Sequence, residues 1–418
     1  MRRNRSTLTI IVISAVLTLL PTLVNNAWAQ GIEQALYAFE GGPNDGANPF
    51  GRPIFDSAGN LYGTTIAGGA TYWAGTVYQL TPSNGTWTET MIHSFGAPGD
   101  GNEVEAGLVI DSAGNLYGTT CGGGLYNNGT VFELSPSNGS WTETILHNFQ
   151  GGMDGSCPYL GQLTFDSAGN LYGTAKAGGA NNAGILFELK PGPTKWTEKV
   201  LYTFAGGSDA AWPNESLVFD QGGNLYGASY QGGGSGCGGY GCGTVFELVH
   251  TRKRWHEKVL YAFTGGKDGA QPYESVILDS AGKLYGTTFG GGDAKGHGVV
   301  FELRLVKGVW KEKVLYKFRG GDDGANPYVN VIFGSDGALY GATDQAGANQ
   351  NGVLFKLTPA NGHWTQSVLY AFTGGTDGGL PLSGLTFDQA GNIYGVTVQG
   401  GDDNVCGRGC GTVYEFIP

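Results

Sequence analysis

The phrase Leu61-Tyr62-Gly63 returns at Leu116-Tyr117-Gly118, Leu171-Tyr172-Gly173, Leu225-Tyr226-Gly227, Leu284-Tyr285-Gly286 and Leu339-Tyr340-Gly341, and once more as Ile393-Tyr394-Gly395. The tyrosines stand 55, 55, 54, 59, 55 and 54 residues apart. A self-similar period of this length in a strand-patterned chain restricts the fold to a propeller, a solenoid or an array, because one unit cannot bury its apolar faces without its neighbours.

Each unit holds four short β-type runs, named A to D. In the second unit they are expected at Ala106 to Ile110, Asn115 to Thr119, Thr130 to Leu134 and Trp141 to Phe149. Turn-forming residues bound each run: Asp111-Ser112-Ala113-Gly114-Asn115 between A and B, and Ser135-Pro136-Ser137-Asn138-Gly139 between C and D. No helical period follows the first 29 residues. Four antiparallel strands repeated seven times predict an all-β, seven-bladed propeller over residues 30–418. The frame separates this from a solenoid. The repeat region opens on Gln34 to Phe39, which matches strand D elsewhere, and ends on Gly411 to Phe416, which matches strand C. A ring needs that offset, since the N-terminal strand then completes the last blade. Trp87, Trp141, Trp196, Trp255, Trp310 and Trp364 recur at one place on strand D. Their uniformity favours packing at the blade edge over a sugar-stacking set.

Gly114 to Thr120 followed by Gly129 to Leu134 reads Gly-Asn-Leu-Tyr-Gly-Thr-Thr and then Gly-Thr-Val-Phe-Glu-Leu. These phrases resemble the GloVer tandem-repeat family, and the resemblance spans essentially all of the chain after residue 29. It implies a secreted bacterial propeller-like protein, often with a C-terminal sorting anchor, and no particular activity. No such anchor is recognised here.

The first residues carry Arg2, Arg3 and Arg5, an apolar run from Leu8 to Leu20, and Ala27-Trp28-Ala29. Positive flank, short apolar core and an A-x-A site predict a signal peptide over residues 1–29, cut near Ala29. The mature chain is expected in the periplasm or outside the cell, as a monomer without a membrane span. Losing three arginines takes the formal charge from −12 to about −15. An acidic surface of that size argues against nucleic acid or anionic lipid as partners.

The six cysteines fit export to an oxidising compartment. Cys237 and Cys242 share the B-to-C loop of blade four, and Cys406 and Cys410 that of blade seven. Those blades stand three places apart in the ring, too far for both pairs to share one zinc ion, so local disulfides are expected. Cys121, in the B-to-C loop of blade two, and Cys157, in the loop entering blade three, are then expected to staple adjacent blades.

The D-to-A and B-to-C loops of a propeller share one face. One aspartate per blade falls in the D-to-A loops: Asp45, Asp100, Asp154, Asp209, Asp268, Asp323 and Asp377. Seven carboxylates could hold calcium, the one cofactor considered. Identity at all seven positions favours aspartates that accept hydrogen bonds from turn amides. Departures from the repeat are the better guide to a site. They fall where the chain enters strand A: Glu103 and Glu105, Tyr159, Asn214 and Glu215, Tyr273 and Glu274, Tyr328 and Asn330, and Leu382. Glu215 and Glu274 occupy equivalent places in adjacent blades. As a pair they could serve acid–base or metal chemistry, with solvated rim residues the favoured alternative. The histidines do not cluster as a zinc hydrolase or serine triad would need, and no glycine-rich loop precedes a helix. The expected function is a binding module for a carbohydrate or an envelope protein. The rivals are a lyase or hydrolase on polysaccharide or lactone with an acidic mouth, and a structural surface protein.

Overall fold

The computed structural model describes residues 31–418 apart from 215, 252–253 and 402–404. The expected signal peptide and Glu215 therefore lie outside the described residues. Seven antiparallel sheets follow one another as the blades of a β-propeller. In blade two strand A is Val109–Ile110, B is Leu116–Thr120, C is Thr130–Ser137 and D is Ser140–Asn148, hydrogen-bonded in the order D-C-B-A. Blade seven takes its A, B and C strands from Thr386–Phe387, Ile393–Thr397 and Thr412–Ile417, and its D strand is Ile32–Ala38. Ile32 faces Ile417 and Ala38 faces Thr412, so the N-terminal strand closes the ring as its frame predicted.

Two expectations need correction. Strand A is two residues long, not five: Ala106, Gly107 and Leu108 are buried but leave the ladder, and the Ala106 carbonyl accepts from Thr64 Oγ1 of blade one at 3.0 Å. An apolar run marks burial, and burial there comes from the ring rather than from strand pairing. Strand C runs on to Ser137, so the C-to-D connection shrinks to Asn138-Gly139. With φ of 50° and 82°, these two residues have the left-handed geometry of a tight hairpin turn.

The repeating phrase has a packing cause. A β-carbon on Gly173 would stand 2.6 Å from the Phe187 ring of strand C, and Gly118 meets Phe132 and Gly286 meets Phe301 in the same way. The aromatic ring of strand C packs against the backbone of strand B, and only glycine leaves room for it. The tyrosine of the phrase is buried and points its hydroxyl back to the A-to-B turn. Tyr117 donates to Asp111 at 3.1 Å, and the same carboxylate accepts from the backbone N–H groups of Ala113 and Asn115. Burial alone would raise the Asp111 carboxyl, but these hydrogen bonds outweigh it and hold it below its ordinary value. The strand-D tryptophans pack edge-on against the tyrosine of the preceding blade: Trp141 on Tyr62, Trp196 on Tyr117, Trp255 on Tyr172, and Trp87 across the seam on Tyr394. They are the inter-blade packing expected of them. Clusters of fully buried side chains fill each interface between blades, such as Leu116, Phe132 and Leu134 against Tyr62 and Phe95.

Candidate functional site at the channel mouth

In every blade the D-to-A loop pairs with the start of the B-to-C loop, for example Ala47 with Ala67, Ser156 with Ala177 and Ala325 with Gln345, so both loop sets build one face. Seven non-glycine residues at equivalent places on that face have left-handed backbone: Asn48, Glu103, Cys157, Trp212, Gln271, Asn326 and Leu380, with φ between 53° and 58°. The geometry is costly for a side chain with a β-carbon. It lets one residue reach both ways around the ring. Trp212 donates its N–H to the Ala183 carbonyl of blade three and accepts on its own carbonyl from Tyr230 of blade four. Cys157 does likewise between Asn128 and Lys176, and its disulfide to Cys121 fastens the same joint. The disulfides Cys237–Cys242 and Cys406–Cys410 also form, and the six cysteines are thus paired as expected. Each short loop bridge sits against a glycine of the next D-to-A loop: Gly265 beside Cys237 and Cys242, and Gly41 beside Cys406 and Cys410.

The seven D-to-A aspartates are turn acceptors tied to strand D. Asp209 accepts from Tyr202 Oη at 3.1 Å and from the N–H groups of Ala205 and Ala210. Asp377 accepts from Tyr370 Oη at 2.8 Å and from the N–H of Thr373. In two blades a histidine replaces the tyrosine, with His147 Nε2 at 3.2 Å from Asp154 and His93 Nε2 at 3.4 Å from Asp100. Facing these aspartates from the next blade's strand D are Glu33, Glu89, Glu143, Glu198, Glu257 and Glu312. Burial first, and in most of them the facing aspartate next, push these glutamates up to about 7, and Glu257 to about 8. His93, Asp100 and Glu143 bring their ligand-type atoms within 4.8 Å of one another. They are the blade-one/two member of this seven-fold belt, which accounts for them without an ion.

The residues that depart from the repeat gather around the channel. All seven blades contribute to its mouth, from Phe50 and Arg52 of blade one to Leu382 and Gly384 of blade seven. Aromatic rings form an arc along the rim of blades four to six and reach blade one. Trp212 stacks on Tyr230 with centroids 6.4 Å apart, Tyr230 meets Tyr273 at 4.7 Å, and Tyr273 stacks on Tyr328 at 4.3 Å. Tyr328 then meets the edge of Phe50 at 5.8 Å. Gln271 Nε2 holds the Tyr230 hydroxyl at 2.8 Å. The arc ends at a charged group in blades two and three. Lys176 lies 4.1 Å from the centre of the Tyr159 ring and 5.2 Å from that of Trp212. Burial, then the charge of Glu103, raise the Glu105 carboxyl to about 7 against the pull of Lys176 and a hydrogen bond from Tyr159. The large exposed aromatic side chains Trp73, Tyr126, Trp212 and Tyr240 all belong to loops of this face.

Among the residues expected at the site, Tyr273 and Tyr328 stack together, and Glu103, Glu105 and Tyr159 form the acidic end. Glu274 lines the mouth and accepts from the backbone N–H of Asn330, whose own Oδ1 accepts from Val331. Asn214 is 2% exposed, with Oδ1 unpartnered. Leu382 lines the mouth. Arg52, Lys176, Trp212 and Tyr230 were not among the expected residues. Arg52 shares its place with Gly107, Gln162, Ser216, Ser275, Asn330 and Gly384, and a lone cation in that column is a departure visible in the sequence.

A family model described as the Gloeobacter/Verrucomicrobia repeat matches residues 22–240 and again 234–418. No curated protein sequence matches the chain. Among solved structures, a candidate 6-phosphogluconolactonase of Bacteroides uniformis ATCC 8492 is 13% identical with a TM-score of 0.50, covering 76% of this chain and 84% of that one. PorZ, an essential surface component of the type-IX secretion system of Porphyromonas gingivalis, is 15% identical with a TM-score of 0.52. That match covers 91% of this chain and 48% of PorZ. At such identities the likeness shows the propeller fold alone.

Proposed function

The chain belongs to the Gloeobacter/Verrucomicrobia repeat family, and from that premise we propose that it is an exported propeller whose channel mouth binds a carbohydrate. The aromatic arc Trp212–Tyr230–Tyr273–Tyr328–Phe50 carries this reading. Flat rings offer apolar area to the C–H faces of a sugar, while the hydroxyls and charged groups beside them take its polar edge. Left-handed residues at the foot of each loop hold the rim, so the surface is largely pre-formed and binding orders little. Three disulfides support a periplasmic or extracellular address, and no helix among the described residues is long and apolar enough to cross a membrane. The two similar propellers bear different names, a lactonase and a secretion component, so the choice rests on the rim itself. The test is a panel of soluble oligosaccharides titrated against the protein, with Tyr273→Ala and Trp212→Ala alongside. Saturable binding that both substitutions weaken at least about tenfold supports the reading. Binding unchanged by both would overturn it.

One observation favours an enzyme as the second reading. Glu105, raised to about 7 beside Tyr159 and Lys176, has the proton affinity of a general acid at neutral pH. Release of reducing ends from a polysaccharide, lost in Glu105→Gln with binding kept, would establish it. A parent protein that binds without turnover would leave the binding module.

A further inference from the structure

The channel is narrow at its mouth. Between Phe50 and Leu382, the space shared by all seven blades holds about 30 Å³, room for about one water molecule. It then widens to about 350 Å³ among Gln162, Ser216, Glu274, Ser275 and Asn330. Arg52 lines both spaces, with Gln162, Ser216, Glu274 and Gly384, and so stands at the neck where they meet.

Its position is built. A β-carbon on Gly384 of blade seven would meet the Arg52 side chain at 3.1 to 3.3 Å, so the aliphatic stem rests on that glycine. Gly107 of blade two lies on the other side, where a β-carbon would meet the Arg52 backbone at 3.2 Å. A larger residue at position 384 would crowd the stem, and one at position 107 the backbone that carries it. Nε donates to Thr386 Oγ1 at 3.2 Å, which fixes the plane of the guanidinium. Among the described residues no carboxylate lies within 4.0 Å of it, so no ion pair takes up its terminal nitrogens. Glu274, the acid across the channel, accepts from the Asn330 backbone. Enclosure by the channel lowers the proton affinity of Arg52, which keeps solvent-exposed surface, and raises that of Glu274, and each charge offsets part of the other's shift. The Ser275 hydroxyl, in a residue 5% exposed, lines the lower compartment with no partner.

A guanidinium held by its stem and Nε, in a residue that lines a narrow polar space, is suited to a planar anion that accepts two parallel hydrogen bonds. The neck admits a small group on the end of a ligand but not a sugar ring. The aromatic arc ends at Phe50, and Phe50, Tyr328 and Arg52 line the same narrow space, so a sugar lying on those rings would sit beside the guanidinium. We propose that the mouth selects acidic saccharides, with Arg52 receiving the carboxylate of a uronic acid residue whose ring lies on the aromatic arc. This rests on the carbohydrate reading above and adds the charge of the ligand and the residue that reads it.

The experiment titrates the full mature chain with three probes of matched length: tetragalacturonate, its methyl ester and cellotetraose. The parent is expected to bind tetragalacturonate at least about tenfold tighter than the other two, as a charge-assisted bidentate contact requires. Arg52→Gln should bring tetragalacturonate down to the affinity of its methyl ester, and Arg52→Lys should keep only part of the ratio, since lysine keeps the charge without the fork. Circular dichroism and melting of each variant establish that the propeller is intact. Should Arg52→Gln fail to fold, the comparison of Arg52→Lys with the parent carries the test. A parent that binds neutral and acidic probes alike overturns the acidic selectivity and leaves the carbohydrate reading standing. An Arg52→Gln variant that keeps the full preference overturns the role of Arg52. A parent that binds none of the three overturns both.

Discussion

The glutamate belt between blades predicts an unusual pH profile of stability. Below pH 4.5 the folded and unfolded chains both hold the protons of Glu33, Glu89, Glu143, Glu198, Glu257 and Glu312. As the pH rises the unfolded chain releases them first, because in the fold these carboxyls are pushed up to about 7 or 8 by burial and, in most of them next, by the facing aspartate. The unfolded state then binds fewer protons than the native one, so stability falls with rising pH across this window and levels off above about 8. A carboxyl carried from 4.5 to about 7 corresponds to about 3 kcal/mol between its protonation states. These side chains keep some contact with solvent, which screens the figure to about 1 kcal/mol each, or about 6 kcal/mol for the belt. The A-to-B turn aspartates Asp56, Asp111, Asp166, Asp220 and Asp336 are held below their ordinary values, so their contribution is lost only at more acid pH. Blade six supplies an internal control. Gln366 stands where the other blades have glutamate and donates to the Asp323 carbonyl at 3.3 Å, so glutamine is accommodated at this place. Replacing all six glutamates with glutamine should raise stability at pH 8 by several kcal/mol and remove most of the slope. A small residue of slope is expected from Glu105 and Asp344, both also raised to about 7. Urea unfolding followed by tryptophan fluorescence at half-unit steps from pH 4.5 to 8.5 measures this. A parent whose stability is flat or rising between pH 5 and 7, or a substituted protein with the parent's slope, would refute the reasoning.

Three further outcomes follow from the fold. Gly173→Ala forces a β-carbon against the Phe187 ring and should cost about 1 to 3 kcal/mol in urea unfolding. Deleting residues 31–40 removes strand D of blade seven and should lower the melting temperature by far more than trimming an unpaired terminus; a truncated protein that melts like the parent would contradict the seam. The double substitution Cys121→Ser/Cys157→Ser should cost up to about 4 kcal/mol by loop entropy, and Cys406→Ser/Cys410→Ser about 2, as read by thermal melting with peptide mapping of the remaining bridges.

The seven-fold frame was legible because it is written seven times, and Gly173 or Tyr117 can be assigned from its six counterparts. The disulfides followed from the same frame, since blade membership places Cys121 beside Cys157 and separates Cys237 from Cys406. The site was legible only in part. Tyr273, Tyr328 and Glu105 were found where the chain enters strand A. Lys176 and Tyr230 leave strand B instead, and their neighbourhood to Tyr159 and Tyr273 is set by how adjacent blades meet. Arg52 could have been found by reading its column around the ring. Its place in the neck depends on Gly107 and Gly384 being small on either side, a three-blade relation that no single repeat contains. Strand A was misjudged because Ala106 to Leu108 are as apolar as paired strand yet owe their burial to neighbouring blades.

The seam gives the molecule a particular order of completion. Six blades are each made from one contiguous stretch of chain and can gather from local contacts, the fast class of folding event. The seventh joins Ile32–Ala38 to Thr412–Ile417, so it must await the emergence of Thr412–Ile417. Until then the protein is an open arc whose first strand, without its hydrogen-bonding partner, offers an unpaired edge to any passing strand. An arc threaded through a membrane pore as an extended chain would be held in that state for the whole of its transit. The interval before the ring shuts is therefore when a helper that shields a bare edge would have the most effect on yield.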